Sequence, residues 1–145
     1  ADKASFEAQL IRVLEDNEVE LICLAGFMRV LSEDFVASFP HKIINIHPSL
    51  LPAFPGLQVQ QKAMEYGVRH TGCTVHFVVP EVDAGPIILQ AVVPIEQEDT
   101  AETLAARILE QEHLVYPRAV ELFAQGRLSI EGRRVLISEE GKDNA

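Results

Sequence analysis

The chain has 145 residues, 48% of them hydrophobic, and a formal net charge of −10. That size and apolar content support one domain with a real core, and the negative charge excludes nonspecific nucleic-acid or anionic-membrane binding, though not an anionic small substrate held by a few local cations. No apolar run reaches the ~18 residues of a membrane span, and no stretch reads as a signal peptide.

In chain order, "KASFEAQLIRVLEDNEV" places Phe6, Leu10, Ile11, Val13 and Leu14 at helical spacing. "ELICLAG" is a short apolar run closed by Gly26, the pattern of a strand buried on both faces. "SEDFVASF" opens with a Ser32 cap and an acidic first turn, so a short helix follows. "KIINI" is a second buried strand, followed by a proline-rich loop and then by "QVQQKAMEYGV", a helix ending near Gly67. "TGCTVHFVV" is β-branched and reads as a strand. A turn in "EVDAGP" leads to the strand "IILQAVVPI". A long helix covers "DTAETLAARILEQEHLVYPRAVELFAQG", where Pro117 is expected to kink or divide it. "RLSIEGRRVLI" reads as a terminal hairpin about Glu131-Gly132, with a polar tail over 138–145. Cys23 and Cys73 both fall in strand-like runs and read as buried free thiols of a reducing, cytoplasmic compartment.

This order predicts an α/β domain over residues 1–137. Its open, mostly parallel mixed sheet carries flanking helices, with parallel strands early and antiparallel additions at one edge. In such sheets ligands sit beyond the C-terminal ends of the strands. The segments Gly26–Leu31 and Asn45–Pro55 each follow a strand end, so both should open on one cleft.

Chemistry concentrates in "IINIHPSLLPAFPG" at 43–56. His47 stands at the lip of a strand before a stiff loop, where its proline neighbours would pre-organise the ring. Alone, it fits a structural histidine in a rigid turn better. Asp83, in the Asp-Ala-Gly-Pro turn, could cap its own backbone. Brought beside His47, it would instead hold that ring as imidazolium. Asn45, two residues before His47, shares its side of the strand and can donate to a developing oxyanion. Together the three could carry acyl transfer by direct attack of an amine, without a Ser or Cys nucleophile. His76 reads as a buried, hydrogen-bonded strand histidine bordering the site. No His/Cys/Asp/Glu spacing suggests a metal.

The segments "LAGFMRVLS" at 24–32, "NIHPSLLPAFPG" at 45–56, "TGCTVHFV" at 71–78, "VDAGPIILQ" at 82–90 and "QEHLVYP" at 111–117 resemble the phosphoribosylglycinamide formyltransferases of purine biosynthesis. The resemblance runs to about residue 137. It implies a Rossmann-like formyltransferase fold and formyl transfer from 10-formyltetrahydrofolate, a one-carbon co-substrate, to the amine of 5-phosphoribosylglycinamide, with no metal. It implies that Asn45 and His47 are catalytic, His47 as proton donor, with Asp83 tuning the histidine. It places Met28, Arg29, Val30 and Leu31, together with Asn45, at the folate, and Glu112 at the glycinamide ribonucleotide amine. Without it, Met28, Val30 and Leu31 fit a core, and Glu112 beside His113 fits a solvated helix face.

Family members open with a strand and a phosphate-cradling loop, which this sequence does not display. The expectation is a C-terminal two-thirds of the domain with the N-terminal strands missing, and self-association through the surface so exposed. The alternatives are a formyltetrahydrofolate hydrolase, which passes the formyl group to water, and a folate-binding fragment without turnover.

Overall fold

The computed structural model describes residues 2–26 and 30–139. Four helices, α1 (Lys3–Asp16), α2 (Glu33–Ser38), α3 (Val59–Tyr66) and α4 (Ala101–Ala124), accompany six strands. The strands are β1 (Ile22–Leu24), β2 (Ile43–His47), β3 (His70–Phe77), β4 (Ile87–Pro94), β5 (Leu128–Glu131) and β6 (Arg134–Ile137). Caps follow the sequence signals. Ser32 accepts from the Phe35 amide at the start of α2, Gly67 closes α3 in the left-handed conformation, and Thr100 opens α4 with a capping box.

The strands form one open sheet in the order β1-β2-β3-β4-β6-β5. β1–β2 and β4–β6 pair in parallel and the other three pairings are antiparallel. Four strands, β1, β2, β4 and β6, therefore run one way and only β3 and β5 oppose them. The antiparallel β3 lies inside the sheet rather than at its edge.

One expectation is narrowed and one corrected here. Pro117 sits inside α4 and does not divide it; the helix runs for 24 residues. β1 is not buried on both faces, because it is an edge strand: Ile22 and Leu24 are half-buried and Cys23 is exposed, so only Cys73 is a core thiol.

Two apolar layers cover the sheet. Ile44, Ile46, Cys73 and Val75 face Leu104, Ile108 and Ala119 of α4. On the other side Ile43 packs with Leu31, Phe35, Val36 and Phe39 around α2, joined by Leu10, Ile11 and Leu14 of α1. Phe6 and Val13 of α1 remain exposed, and the buried residue of that helix is Glu7. Its carboxylate accepts from both the amide and the hydroxyl of Ser32. Burial pushes this carboxyl up, but the two Ser32 donors outweigh it and leave it below its usual range. A buried charge is thus satisfied by the same residue that caps α2, which ties α1 to the segment following β1.

Gly72 marks a close approach between β3 and β4. A Cβ there would stand 1.8 Å from the Ala91 carbonyl oxygen, a backbone atom that cannot move without parting β3 from β4. Gly72→Ala is expected to cost about 3 kcal/mol, the upper range for forced overpacking. Urea unfolding reads this as a lower midpoint, and an unchanged midpoint would show that the strands yield freely.

Candidate active site

β2 and β3 alternate their side chains, and the register decides what meets what. Asn45 pairs with His76 and His47 with Thr74. Since Ile44, Ile46, Cys73 and Val75 point toward α4, Asn45, His47, Thr74 and His76 emerge together on the opposite face. They lie at the C-terminal end of β2, where a cleft of about 520 Å³ opens. The segments after β1 and β2 both line it, as the sheet topology required.

His47 is buried, at 6% exposure. Its Nε2–H donates to the Phe54 carbonyl at 2.9 Å; a carbonyl only accepts, so the proton on that nitrogen is fixed. Nδ1 faces Asp83 Oδ1 at 3.6 Å, beyond a hydrogen bond but close enough to attract an imidazolium. Asp83 does not cap its own turn. Its other oxygen, Oδ2, accepts from the Gly56 amide at 2.8 Å, so one carboxylate joins the turn before β4 to the proline-rich loop. Asp83 takes a left-handed φ of 53°, which Asp tolerates better than most residues. Phe54 and Gln58 also hold positive φ, so strained backbone gathers around the cleft. The Leu51–Pro52 peptide is cis.

Ser49 and Thr74 support this loop from beneath. The Ser49 hydroxyl lies 2.6 Å from the Ala53 carbonyl and 3.0 Å from that of Phe54. Thr74 Oγ1 donates to the Ser49 carbonyl and accepts from the Leu51 amide and Gln90 Nε2. These two residues escaped the sequence reading, although two-residue alternation from His47 and His76 leads to both.

His76 is buried and borders the cleft. Nδ1–H donates to the Phe77 carbonyl at 3.0 Å, and burial pushes the imidazole below its usual range. The ring is therefore neutral, and Nε2 is a buried acceptor with no protein partner among the described residues.

Glu112 enters from α4, on the other side of the sheet end, and lines the same cleft. It is half-buried while its neighbour His113 is exposed, so it does not belong to the solvated face. Burial raises its carboxyl above the ordinary range, against the pull of His113 and His47. Val30 and Leu31 also line the cleft, with Leu24, Val78, Val79 and Pro80 adding apolar wall. Met28 and Arg29 lie outside the described residues. Among the described residues no cluster of three His, Cys, Asp or Glu could hold a metal ion, and no helix is long and apolar enough to cross a membrane.

The family described as "Formyl transferase" matches residues 1–120. The chain belongs to that family. It is 53% identical to the trifunctional purine biosynthetic protein adenosine-3 of Gallus gallus, over 88% of this chain and 13% of that protein. It is 42% identical to the phosphoribosylglycinamide formyltransferase of Escherichia coli, over 88% of this chain and 60% of that one. The crystal structure of glycinamide ribonucleotide transformylase 1 from Symbiobacterium toebii superposes with a TM-score of 0.92 at 55% identity, covering 95% of this chain and 65% of that one. The chain thus spans less than two thirds of each of these relatives.

The state of Glu112 sets a pH dependence. Its folded carboxyl is raised above the unfolded value of 4.5, so the folded protein keeps this proton longer than the unfolded chain does. Stability contributed by the site therefore falls as pH rises from about 4.5 through the raised value. Glu112→Gln is expected to flatten that fall and to match or exceed the parent's Tm near pH 7. Thermal melts across pH 4 to 7 check this, and parallel curves for the two proteins would contradict it.

Proposed function

We propose that this chain carries the formyl-transfer site of a phosphoribosylglycinamide formyltransferase. Residues 1–137 form the catalytic unit and 138–145 a polar tail. The site moves a formyl group from 10-formyltetrahydrofolate to the amine of 5-phosphoribosylglycinamide in purine biosynthesis, in the cytoplasm. One observation carries the reading. Asn45, His47 and Asp83 converge at the end of β2 with Glu112 facing the same cleft from the other side of the sheet, and acyl transfer to an amine needs those groups.

The folate co-substrate supplies an activated formyl group on a nitrogen. The apolar wall of Val30, Leu31, Val78 and Val79 suits an aromatic ring system, and this reading assigns Met28 and Arg29 to the same co-substrate. Glu112 accepts from the amine and orients its lone pair toward the formyl carbon. As the new C–N bond forms, the carbonyl π pair moves onto oxygen. The Asn45 amide and the His47 imidazolium donate to that oxygen as it gains charge. Collapse restores the C=O bond and breaks the old C–N bond, whose electron pair goes to the folate nitrogen. His47 supplies the proton that nitrogen takes. Nε2–H stays with Phe54, which leaves Nδ1 to deliver it. Asp83 steadies the charged ring, and the proton lost by the amine restores it. The neutral Nε2 of His76 offers a further acceptor.

His47→Ala should lower kcat by roughly 10³-fold, within the span of general acid–base catalysis, while affinity for 10-formyl-5,8-dideazafolate stays within about threefold. Asp83→Asn keeps an acceptor for Gly56 but removes the charge, so kcat should fall by roughly 10- to 100-fold with an altered pH profile. Turnover that needs glycinamide ribonucleotide supports the transferase. Turnover without it marks a hydrolase, and retained folate binding with no turnover marks a binding module.

A further inference from the structure

Tyr116 stands on α4 four residues after Glu112, so the two side chains share one helix face. Tyr116 is half-buried against the core shared by α4 and the sheet. Its hydroxyl donates to the Leu24 carbonyl at 2.6 Å and lies 3.1 Å from the Ile44 carbonyl. These acceptors sit on neighbouring parallel strands. Leu24 is in register with Asn45, and Ile44 directly precedes it. Leu24 and Asn45 both line the cleft, as Glu112 does. The hydroxyl therefore grips the strand ends from the α4 face, while the Asn45 side chain emerges on the opposite face.

α4 has a reason to need such a grip. Pro117 has no N–H for the His113 carbonyl, so the helical ladder loses a bond within one turn after Glu112. Further toward the N-terminus, Arg107 pins α4 to the Pro94 carbonyl and to Asp99. Among the described residues, the Tyr116 hydroxyl makes the side-chain hydrogen bonds from α4 to β1 and β2. Two pins, one on each side of Glu112, fix the roll and the axial position of the helix between them.

We propose that the Tyr116 hydroxyl is a positioning group that sets the Glu112 carboxylate against Asn45 and His47, and so governs how well the site takes its amine acceptor. This rests on the formyl-transfer reading. Tyr116 touches no reacting atom and acts through Glu112. Losing the hydroxyl frees both Glu112 and the Leu24 carbonyl, but Leu24 stays in register with Asn45 through the pairing of β1 with β2, so the acceptor subsite moves more than the folate wall of the loops after β1 and β3.

The test compares the parent chain, Tyr116→Phe, Glu112→Gln and the double variant in three measurements. The first is KM for glycinamide ribonucleotide and kcat, the second the affinity for 10-formyl-5,8-dideazafolate, and the third the carboxyl titration of Glu112 by carbon-13 NMR. Tyr116→Phe is expected to raise the amine KM about tenfold, to keep folate affinity within twofold, and to move the Glu112 titration toward an ordinary carboxylate. In the Glu112→Gln background it should add nothing. An unchanged amine KM with an unchanged Glu112 titration overturns the proposal, as do fully multiplicative losses in the double variant. General loosening would instead weaken folate binding in step with the amine, and that also counts against it. Should Tyr116→Phe fold poorly, 4-fluorophenylalanine at 116 keeps the volume of the ring and its substituent but donates no proton to the Leu24 carbonyl, with the same expected direction. Turnover that ignores the amine in the parent chain would defeat the formyl-transfer reading itself. The proposal, which names an amine subsite, would fall with it even though the NMR titration reported a tether. Absence of all turnover leaves the decision to that titration.

Discussion

The Asp83 carboxylate is shared between the Gly56 amide and the His47 ring, and that sharing joins two separate loops at the mouth of the sheet. Thr74 of β3 and Gln90 of β4 hold the start of the proline-rich loop. The proline-rich loop is stiff but has to be aimed. Gly56 aims it by presenting an N–H that the carboxylate can accept, from a backbone of φ 86° that glycine adopts without strain. The Phe54 carbonyl is then in place to fix the proton on Nε2 of His47. A single charge thus sets the loop, and the loop sets the tautomer of the ring on which the chemistry is proposed to turn.

The elements of the fold were readable because their signals are local. Ser32, Gly67 and Thr100 mark helix ends through their own hydrogen bonds or backbone conformation, and "IINIH" and "TGCTVHFVV" mark strands by composition. The errors arose where a remote contact decides. β1 has the apolar composition of a central strand, yet its place in the sheet order leaves Cys23 uncovered. Pro117 satisfied the local rule for a break, but packing on both sides of it carries α4 through. Glu7 lies in a stretch whose periodic residues are Phe6, Leu10 and Val13, and it is buried because a serine 25 residues away supplies both its donors.

The candidate site was legible for a different reason. Asn45 and His47 are two residues apart on a strand, so periodicity alone puts them on one side. Asp83 and Glu112 share no such relation with them. Only topology brings the turn before β4 and the face of α4 to the end of β2, and for those residues the family motifs supplied what spacing could not. The supporting layer of Ser49, Thr74 and the Phe54 carbonyl was missed for a physical reason. Those groups act on backbone, and a backbone acceptor leaves no mark on the identity of the residue that carries it.

The two sides of the sheet do different work at this end. Asn45, His47 and His76 emerge on the face of the α2 layer, while Glu112 and Tyr116 belong to the α4 layer. The alternation of β2 separates these groups by side, and the end of the strand is where the separation ceases. A reacting carbon placed beyond His47 can be reached from both faces at once, with proton donors on one side and a carboxylate on the other. Asp83 faces His47 on its own side of the sheet, so the imidazole and the Glu112 carboxylate, held on opposite faces of one strand end, remain available to two different atoms of the same reaction, and the rigidity of β2 between its neighbours keeps them apart.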